Sequence, residues 1–311
     1  MGESSLHIIC VAPMMGYTDR HFLHLLRIMS KHAVLYTEMI TAQAIVRGDQ
    51  LHLLSFSESA HPVAVQLGGS DPGLLSQAAK IAAQFGYDEI NLNVGCPSER
   101  VQSGCFGAAL MKTPDLVADI VLRMRESVSI PVTVKTRLGV DDCDSDYFLQ
   151  DFVGKISEAG CKTIILHARK AWLKGLSPKE NREIPPLQYD RVYRIKQLFP
   201  RLEIIMNGGI KTHAQVATEL HRVDGAMVGR VVCSNPYWLS AVDQKFYGSK
   251  QAVLSREEIV TQYLKYVSRE AKRGVSVRYL MRHLTGLYQG ELGAKAWRRE
   301  MNNHTVIASP S

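Results

Sequence analysis

Ile90-Asn91-Leu92-Asn93-Val94-Gly95-Cys96-Pro97 is the stretch that decides the fold. Ile90, Leu92 and Val94 alternate with asparagines, which reads as a strand, and Gly95 and Pro97 end it abruptly. Apolar runs of similar length recur at residues 8–14, 34–39, 63–67, 132–135, 163–167, 204–207 and 226–229. Each is rich in Val, Ile and Leu and nearly continuous, as parallel strands buried on both faces are. Helical patterns lie between them. Thr113-Pro114-Asp115 opens one, with Leu116, Val117, Ile120, Val121 and Met124 on one face. Asp71 opens another that Gly86 ends, and Thr212 and Asn235-Pro236 open two more. Eight strand–helix units predict an α/β fold, a (β/α)8 TIM barrel. A doubly wound sheet shares the alternation, but no GxGxxG follows the first strand.

Beyond residue 249 only helical periodicity remains. Ser255 and Glu258 form a capping box, and Ile259, Val260, Tyr263, Leu264 and Val267 make an apolar stripe. The expected organisation is a barrel catalytic domain over 1–248 followed by a small all-α helical domain over 249–311.

The chain has 311 residues, 46% hydrophobic and 22% charged, an ordinary globular composition. Its formal charge of +7 is unevenly spread: residues 249–311 hold eleven Lys/Arg against five Asp/Glu. A basic segment beside a near-neutral barrel suggests a polyanionic partner. The cysteines at 10, 96, 105, 143, 161 and 233 form no CxxC pair, so no metal site is expected and reduced cytoplasmic thiols are the default. No signal peptide is recognisable and no apolar run reaches membrane-spanning length. A monomer is the default oligomeric state.

In such barrels chemistry sits at the C-terminal ends of the strands, and the unusual polar residues fall there. Gln66 ends strand three, Asn93 and Cys96 strand four, Lys135 strand five, His167 and Arg169 strand six. Asn207-Gly208-Gly209 ends strand seven and Gly229-Arg230 strand eight. Strands seven and eight form the usual phosphate corner. Glycines there let backbone N–H groups approach an anion closely, and Arg230 adds a fixed charge. A cofactor with one phosphate, lying across the mouth, would set its ring over Gln66, Lys135 and His167. Flavin mononucleotide (FMN) meets these requirements; a sugar phosphate meets those of the corner alone. Cys96 is either a thiol placed for chemistry or a small buried hydrophobe.

Together Ala12-Pro13-Met14 with Thr18-Asp19, the segment 91–97, Val134-Lys135-Thr136-Arg137, His167-Ala168-Arg169, Asn207-Gly208-Gly209 and Gly229-Arg230 resemble the tRNA-dihydrouridine synthases. The likeness runs in order from about residue 8 to about residue 300. The segment 167–182, HARKAWLKGLSPKENR, is similar to the A branch of that family. The resemblance implies an FMN enzyme that uses NADPH to reduce uridines of the tRNA D-loop, at positions 20 and 20a. It implies Cys96 as proton donor. It implies Pro13, Met14, Met15, Gln66, Lys135, His167, Asn207, Gly208, Gly209, Gly229 and Arg230 as FMN contacts. For tRNA it implies Asn93, Arg169, Lys179, Glu180, Asn181, Arg182, Arg298 and Arg299. Members of the branch usually continue with more helix past the equivalent of Trp297-Arg298-Arg299. This chain stops soon after, so a trimmed helical domain is expected.

Saturating the C5–C6 bond of uracil needs a hydride at C6 and a proton at C5. An ordinary thiol, with a pKa of about 8.5, is protonated at neutral pH and suits the second task. The uridine must leave its stack, at a cost of a few kcal/mol, which phosphate contacts from a basic tail can offset. Arg169, Lys170, Lys174, Lys179 and Arg182 form a second basic cluster after strand six, expected to clamp the tRNA opposite the tail. Two other readings share parts of the pattern: an FMN-barrel oxidoreductase acting on a free pyrimidine, and a non-catalytic RNA-binding barrel.

Overall fold

The computed structural model describes residues 6–99, 101 and 104–303. Eight parallel strands close into one barrel in sequence order: β1 (Ile9–Val11), β2 (Val34–Thr41), β3 (Val63–Gly68), β4 (Glu89–Val94), β5 (Val132–Arg137), β6 (Thr163–His167), β7 (Glu203–Asn207) and β8 (Gly225–Val228). β8 pairs with β1 through Cys10 and Met227 and completes the ring. The expected (β/α)8 architecture is the observed one.

The strand ends are sharper than the apolar runs. β1 stops at Val11 rather than running to Met14, because Pro13 has no N–H for a ladder and the chain turns at Met14. Thr18 holds that turn: its Oγ1 accepts from the Met14 N–H at 2.9 Å and its own N–H donates to the Met14 carbonyl at 3.0 Å. Gly229 leaves β8 and becomes the cap of the short helix Arg230–Ser234. Asn235-Pro236 opens a 3-10 turn, Pro236–Ala241, before the helix Val242–Phe246.

Ile90, Leu92 and Val94 face outward into the layer between strands and helices, which forms one continuous apolar core. The helix Pro114–Ser127 adds Val117, Ile120, Val121 and Met124 to it. A second, smaller apolar cluster fills the inside of the barrel: Cys10, Ala12, Val34, Tyr36, Ala64, Ile165, Ile205 and Met227. The alternate residues of β4 belong to the inside as well, and they are polar: Glu89, Asn91 and Asn93, all buried. At the floor, His7 Nε2 lies 2.5 Å from Glu89 Oε2 and His7 Nδ1 lies 2.8 Å from Glu203 Oε2.

The C-terminal part is helical: Arg256–Lys272, Val277–Met281 and Ala294–Asn303. The Ser255–Glu258 capping box is formed, with Ser255 Oγ accepting from Glu258 N at 3.1 Å. Ile259, Tyr263 and Val267 are buried, and their apolar layer is continuous with that of the barrel. The contact partner is the first barrel helix, Arg20–Met29. His21 Nδ1 meets Tyr266 OH at 2.6 Å, and the His24 ring stacks on Tyr266 at 3.8 Å. Among the described residues no helix is long and apolar enough to cross a membrane.

Candidate functional site

Strand register gathers the polar residues at one rim. Asn93 is level with Lys135, Arg137 with His167, His167 with Asn207, and Asn207 with Met227. A cavity of about 620 Å³ opens there. Pro13, Met14, Lys135, His167, Arg169, Arg182, Asn207, Gly208, Gly209, Gly229 and Arg230 line it. Met15 stands outside the lining on the exposed rim, and Gln66 is sealed beneath it.

The cavity is built for an anion. Glu183 is the one carboxylate among its lining residues, set against Lys135, Arg169, Arg182, Lys211 and Arg230. Glu183 Oε1 is 3.0 Å from Arg230 Nη1. Among the described residues, three buried polar atoms of the lining side chains have no hydrogen-bond partner: His167 Nδ1, Arg169 Nε and Arg182 Nε. Unpaired buried donors are costly in a finished structure, so their concentration here marks groups awaiting a ligand. Gly208 holds a φ of +110°, and a Cβ there would sit 3.2 Å from His167 Nε2. Only glycine allows that bend and leaves the floor of the cavity open.

Burial dominates the electrostatics. It pushes the Lys135 ammonium down to about 7, with Arg137 and Arg182 adding to the shift and Cys96 opposing it. His167 is held well below its ordinary range by burial and then by Arg137, Lys135, Arg169 and Arg182, so it is a neutral imidazole. Burial also lowers Arg137 to about 10, leaving it charged at neutral pH.

Cys96 lies on the turn after β4, half-buried, next to Gly95, whose carbonyl accepts from Arg137 Nε at 3.2 Å, and the strand residue Asn93 that starts this turn is level with Lys135. The turn therefore borders the same cation cluster as the cavity. The Gly95 and Cys96 N–H groups both donate to Asn93 Oδ1, at 3.2 and 3.0 Å, and the Cys96 carbonyl accepts from Ala108 N at 2.9 Å. Gly107, at φ +70°, passes so close beneath that carbonyl that a side chain there would collide with it. Asn93 is thus the strut of the cysteine turn, buried below the rim.

The loop after β6 is compact. Asn181 is fully buried, and its amide is spent inside the loop: Nδ2 donates to the carbonyls of Trp172 (2.9 Å) and Leu176 (3.1 Å), and Oδ1 accepts from Trp172 N (2.8 Å). Asn181, expected at a nucleic-acid surface, is instead spent on holding the loop itself in shape. Arg169 is also internal, donating to the carbonyls of Glu183 and Pro185 and reaching the cavity rather than the outer face. Lys170 pairs with Asp144 at 2.9 Å and lies 4.1 Å over the Trp172 ring. Lys174, Lys179 and Glu180 are exposed on the loop, and Arg298 and Arg299 are exposed on the last helix.

Sequence reading gave Arg137 no role. Its Nε donates to the Gly95 carbonyl at 3.2 Å and its Nη1 to the Asn181 carbonyl at 2.9 Å, so it ties the cysteine turn to the loop after β6. An arginine ending an apolar strand was the available signal. Glu89 and His7 were passed over as well, because nothing local marks residues 82 positions apart as partners.

A closed parallel barrel with a cation-rich, glycine-floored cavity at its C-terminal rim, bordered by a half-buried thiol, defines a barrel enzyme that handles anionic ligands. The family profile described as "Dihydrouridine synthase (Dus)" matches residues 10–309. The chain is 52% identical over 307 residues to a Synechocystis protein named tRNA-dihydrouridine(20/20a) synthase, covering 99% of this chain and 92% of that one. Proteins of the same name from Shewanella oneidensis and Escherichia coli K12 are each 52% identical over 94% of this chain, spanning 88% and 85% of their own lengths. The chain belongs to the dihydrouridine synthase family.

Proposed function

We propose that this enzyme reduces uridines 20 and 20a of the tRNA D-loop to 5,6-dihydrouridine, with FMN in the rim cavity and NADPH as reductant. The observation that carries the reading is the Cys96 turn, joined through Arg137 and the Asn93–Lys135 register to a cation-rich cavity in which, among the described residues, His167 Nδ1, Arg169 Nε and Arg182 Nε have no hydrogen-bond partner. The relatives named for this activity share half of the sequence over nearly its full length. The residues fit FMN: Gly208, Gly209, Gly229 and Arg230 would hold its phosphate, and Pro13, Met14, Lys135, His167 and Asn207 its ring. When bound, FMN supplies the hydride it has received from NADPH.

The protein's own part is binding, orientation and a proton. Lys135 and Arg182 line the cavity and Arg137 lies behind the cysteine turn, and their positive charge would stabilise negative charge developing on the uracil oxygens. Cys96 donates its Sγ proton to C5 and is reprotonated from solvent. The neutral His167 offers a hydrogen bond without adding a charge. Lys174, Lys179 and the edge of the loop after β6 form one basic border. The C-terminal helices, the last of which carries Arg298 and Arg299, form another. These borders contact tRNA phosphates and offset the cost of extruding the uridine.

The test is direct. The purified protein, NADPH and unmodified tRNA are combined and dihydrouridine is mapped by position. Yellow protein with flavin absorbance near ~450 nm and new dihydrouridine at 20 and 20a are expected. Colourless protein, or reduction of free uridine with none in tRNA, overturns the reading.

A further inference from the structure

The inside of the barrel holds an uninterrupted line of polar side chains from floor to rim. Asn93 Nδ2 donates to Gln66 Oε1 at 2.8 Å, and Gln66 Nε2 donates to Asn91 Oδ1 at 2.7 Å. Asn91 Nδ2 donates to Thr133 Oγ1 at 2.8 Å, and Thr133 Oγ1 donates to Glu89 Oε1 at 2.5 Å. Tyr36 OH gives the same Glu89 oxygen a second hydrogen bond at 2.7 Å, and His7 holds the other oxygen. Asn91, Gln66, Thr133 and Glu89 are each at most 1% exposed. Burying so many polar groups is unfavourable unless each is satisfied.

The direction of this line is fixed at both ends. At the rim, Asn93 Oδ1 must accept, because it faces two backbone N–H groups, Gly95 and Cys96. Its NH2 therefore points at Gln66, whose amide must then point its own NH2 at Asn91. At the floor, Glu89 Oε1 accepts from both Thr133 Oγ1 and Tyr36 OH, so Thr133 takes its own hydrogen bond from Asn91. Each end alone sets the orientation of every amide, and the two ends demand the same one.

We infer that the Glu89–His7 floor pair and the line Thr133–Asn91–Gln66–Asn93 are positioning residues for Cys96, fixing the turn from which its thiol reaches the substrate. The inference rests on Cys96 being the proton donor. A line of oriented amides ending on a carboxylate holds Asn93 in one flip state. With the anchor lost, the Gly95 and Cys96 N–H groups still orient Asn93, but Asn91 loses the acceptor for its NH2, and the line behind Asn93 no longer holds the cysteine turn rigidly in place.

Thr133→Val breaks the line at a buried strand position with little change in volume, whereas Thr133→Ser keeps the hydroxyl. In uridine reduction on tRNA, Thr133→Val is expected to lower kcat by roughly three- to ten-fold, the worth of one net hydrogen bond, with KM for tRNA unchanged and Thr133→Ser restoring the rate. Iodoacetamide labelling followed by peptide mass spectrometry should show Cys96 alkylated faster by a similar factor, while the buried Cys10 and Cys161 stay protected. Those two thiols report folding, and the labelling does not depend on turnover. If Cys96→Ala retains activity while the labelling still responds to Thr133→Val, the assignment of the donor fails and the positioning stands. Equal kcat and equal Cys96 labelling in Thr133→Val and wild type overturn the inference. Glu89→Gln, carrying the same readouts, gives an independent second break.

Discussion

Asp19 Oδ2 accepts a 2.7 Å hydrogen bond from Arg282 Nη2, joining residues 263 positions apart. The same oxygen accepts from Tyr279 OH at 2.8 Å. Oδ1 caps the first barrel helix at the His21 and Phe22 N–H groups and lies 3.1 Å from His283 Nε2. One carboxylate thus ends the rim loop after β1, starts a barrel helix and latches the helical tail.

Asp19→Ala should destabilise the protein by about 2–3 kcal/mol, combining a lost helix cap with the loss of a carboxylate shared by the buried His283 and the partly exposed Arg282. Burial opposes ionisation of Asp19, but His283, the Phe22 N–H and Tyr279 outweigh it and hold the carboxyl well below its usual range. The Asp19 contribution is therefore present above the unfolded carboxyl pKa of about 4 and is lost as pH falls. Urea unfolding at pH 7 and pH 3 checks both. The mutant should also lose amide-exchange protection first over 277–287.

Cys96→Ala should keep bound FMN and tRNA affinity while turnover drops by roughly 10²–10⁴-fold, the usual worth of a positioned general acid. Single-turnover assays on unmodified tRNA measure this. Near wild-type reduction would remove Cys96 from the mechanism.

Lys135 titrates at about 7 in the ligand-free protein because burial, then Arg137 and Arg182, disfavour its charge. An anionic ligand favours the charged form, so its binding draws in a proton. FMN affinity should accordingly weaken from pH 7 to pH 9, a range above the phosphate's own ionisation near ~6, and Lys135→Met should flatten the profile. Fluorescence titrations at constant ionic strength test it; a flat wild-type curve contradicts it.

Burial alone would lower the pKa of His7, but the hydrogen bonds and charges of Glu203 and Glu89 reverse this and raise it to about 10. Its stabilisation should be complete below the unfolded value of about 6.5 and decline as pH climbs through about 10. Removing the partner by His7→Ala should cost about 3–5 kcal/mol, typical of a broken buried pair. Denaturant midpoints at pH 6.5 and pH 10 for both proteins read out the difference.

The eight strands were legible because doubly buried parallel strands are written as continuous apolar runs, and their ends placed Lys135, His167, Asn207 and Gly229 at the rim. Which face of β4 turns inward was not. Ile90, Leu92 and Val94 serve the helix layer while Glu89, Asn91 and Asn93 serve the interior, and burial on both sides leaves the alternation ambiguous. The same ambiguity hid the placement of Asn93 beneath the cysteine turn. Asn181 sat in a basic stretch that reads as surface, yet its amide fastens the loop from within. The Asp19–Arg282 latch joins distant segments, and no local pattern carries such a pairing.

The tail and the first barrel helix share one apolar layer, with His24 stacked on Tyr266 and Tyr263 fully buried between them. Neither half is therefore interchangeable by itself. A chimaera that grafts the tail of a relative onto this barrel would have to bring along the facing side of Arg20–Met29. Exchanges in the tail must then be accompanied by compensating exchanges on a barrel helix that does not line the rim cavity.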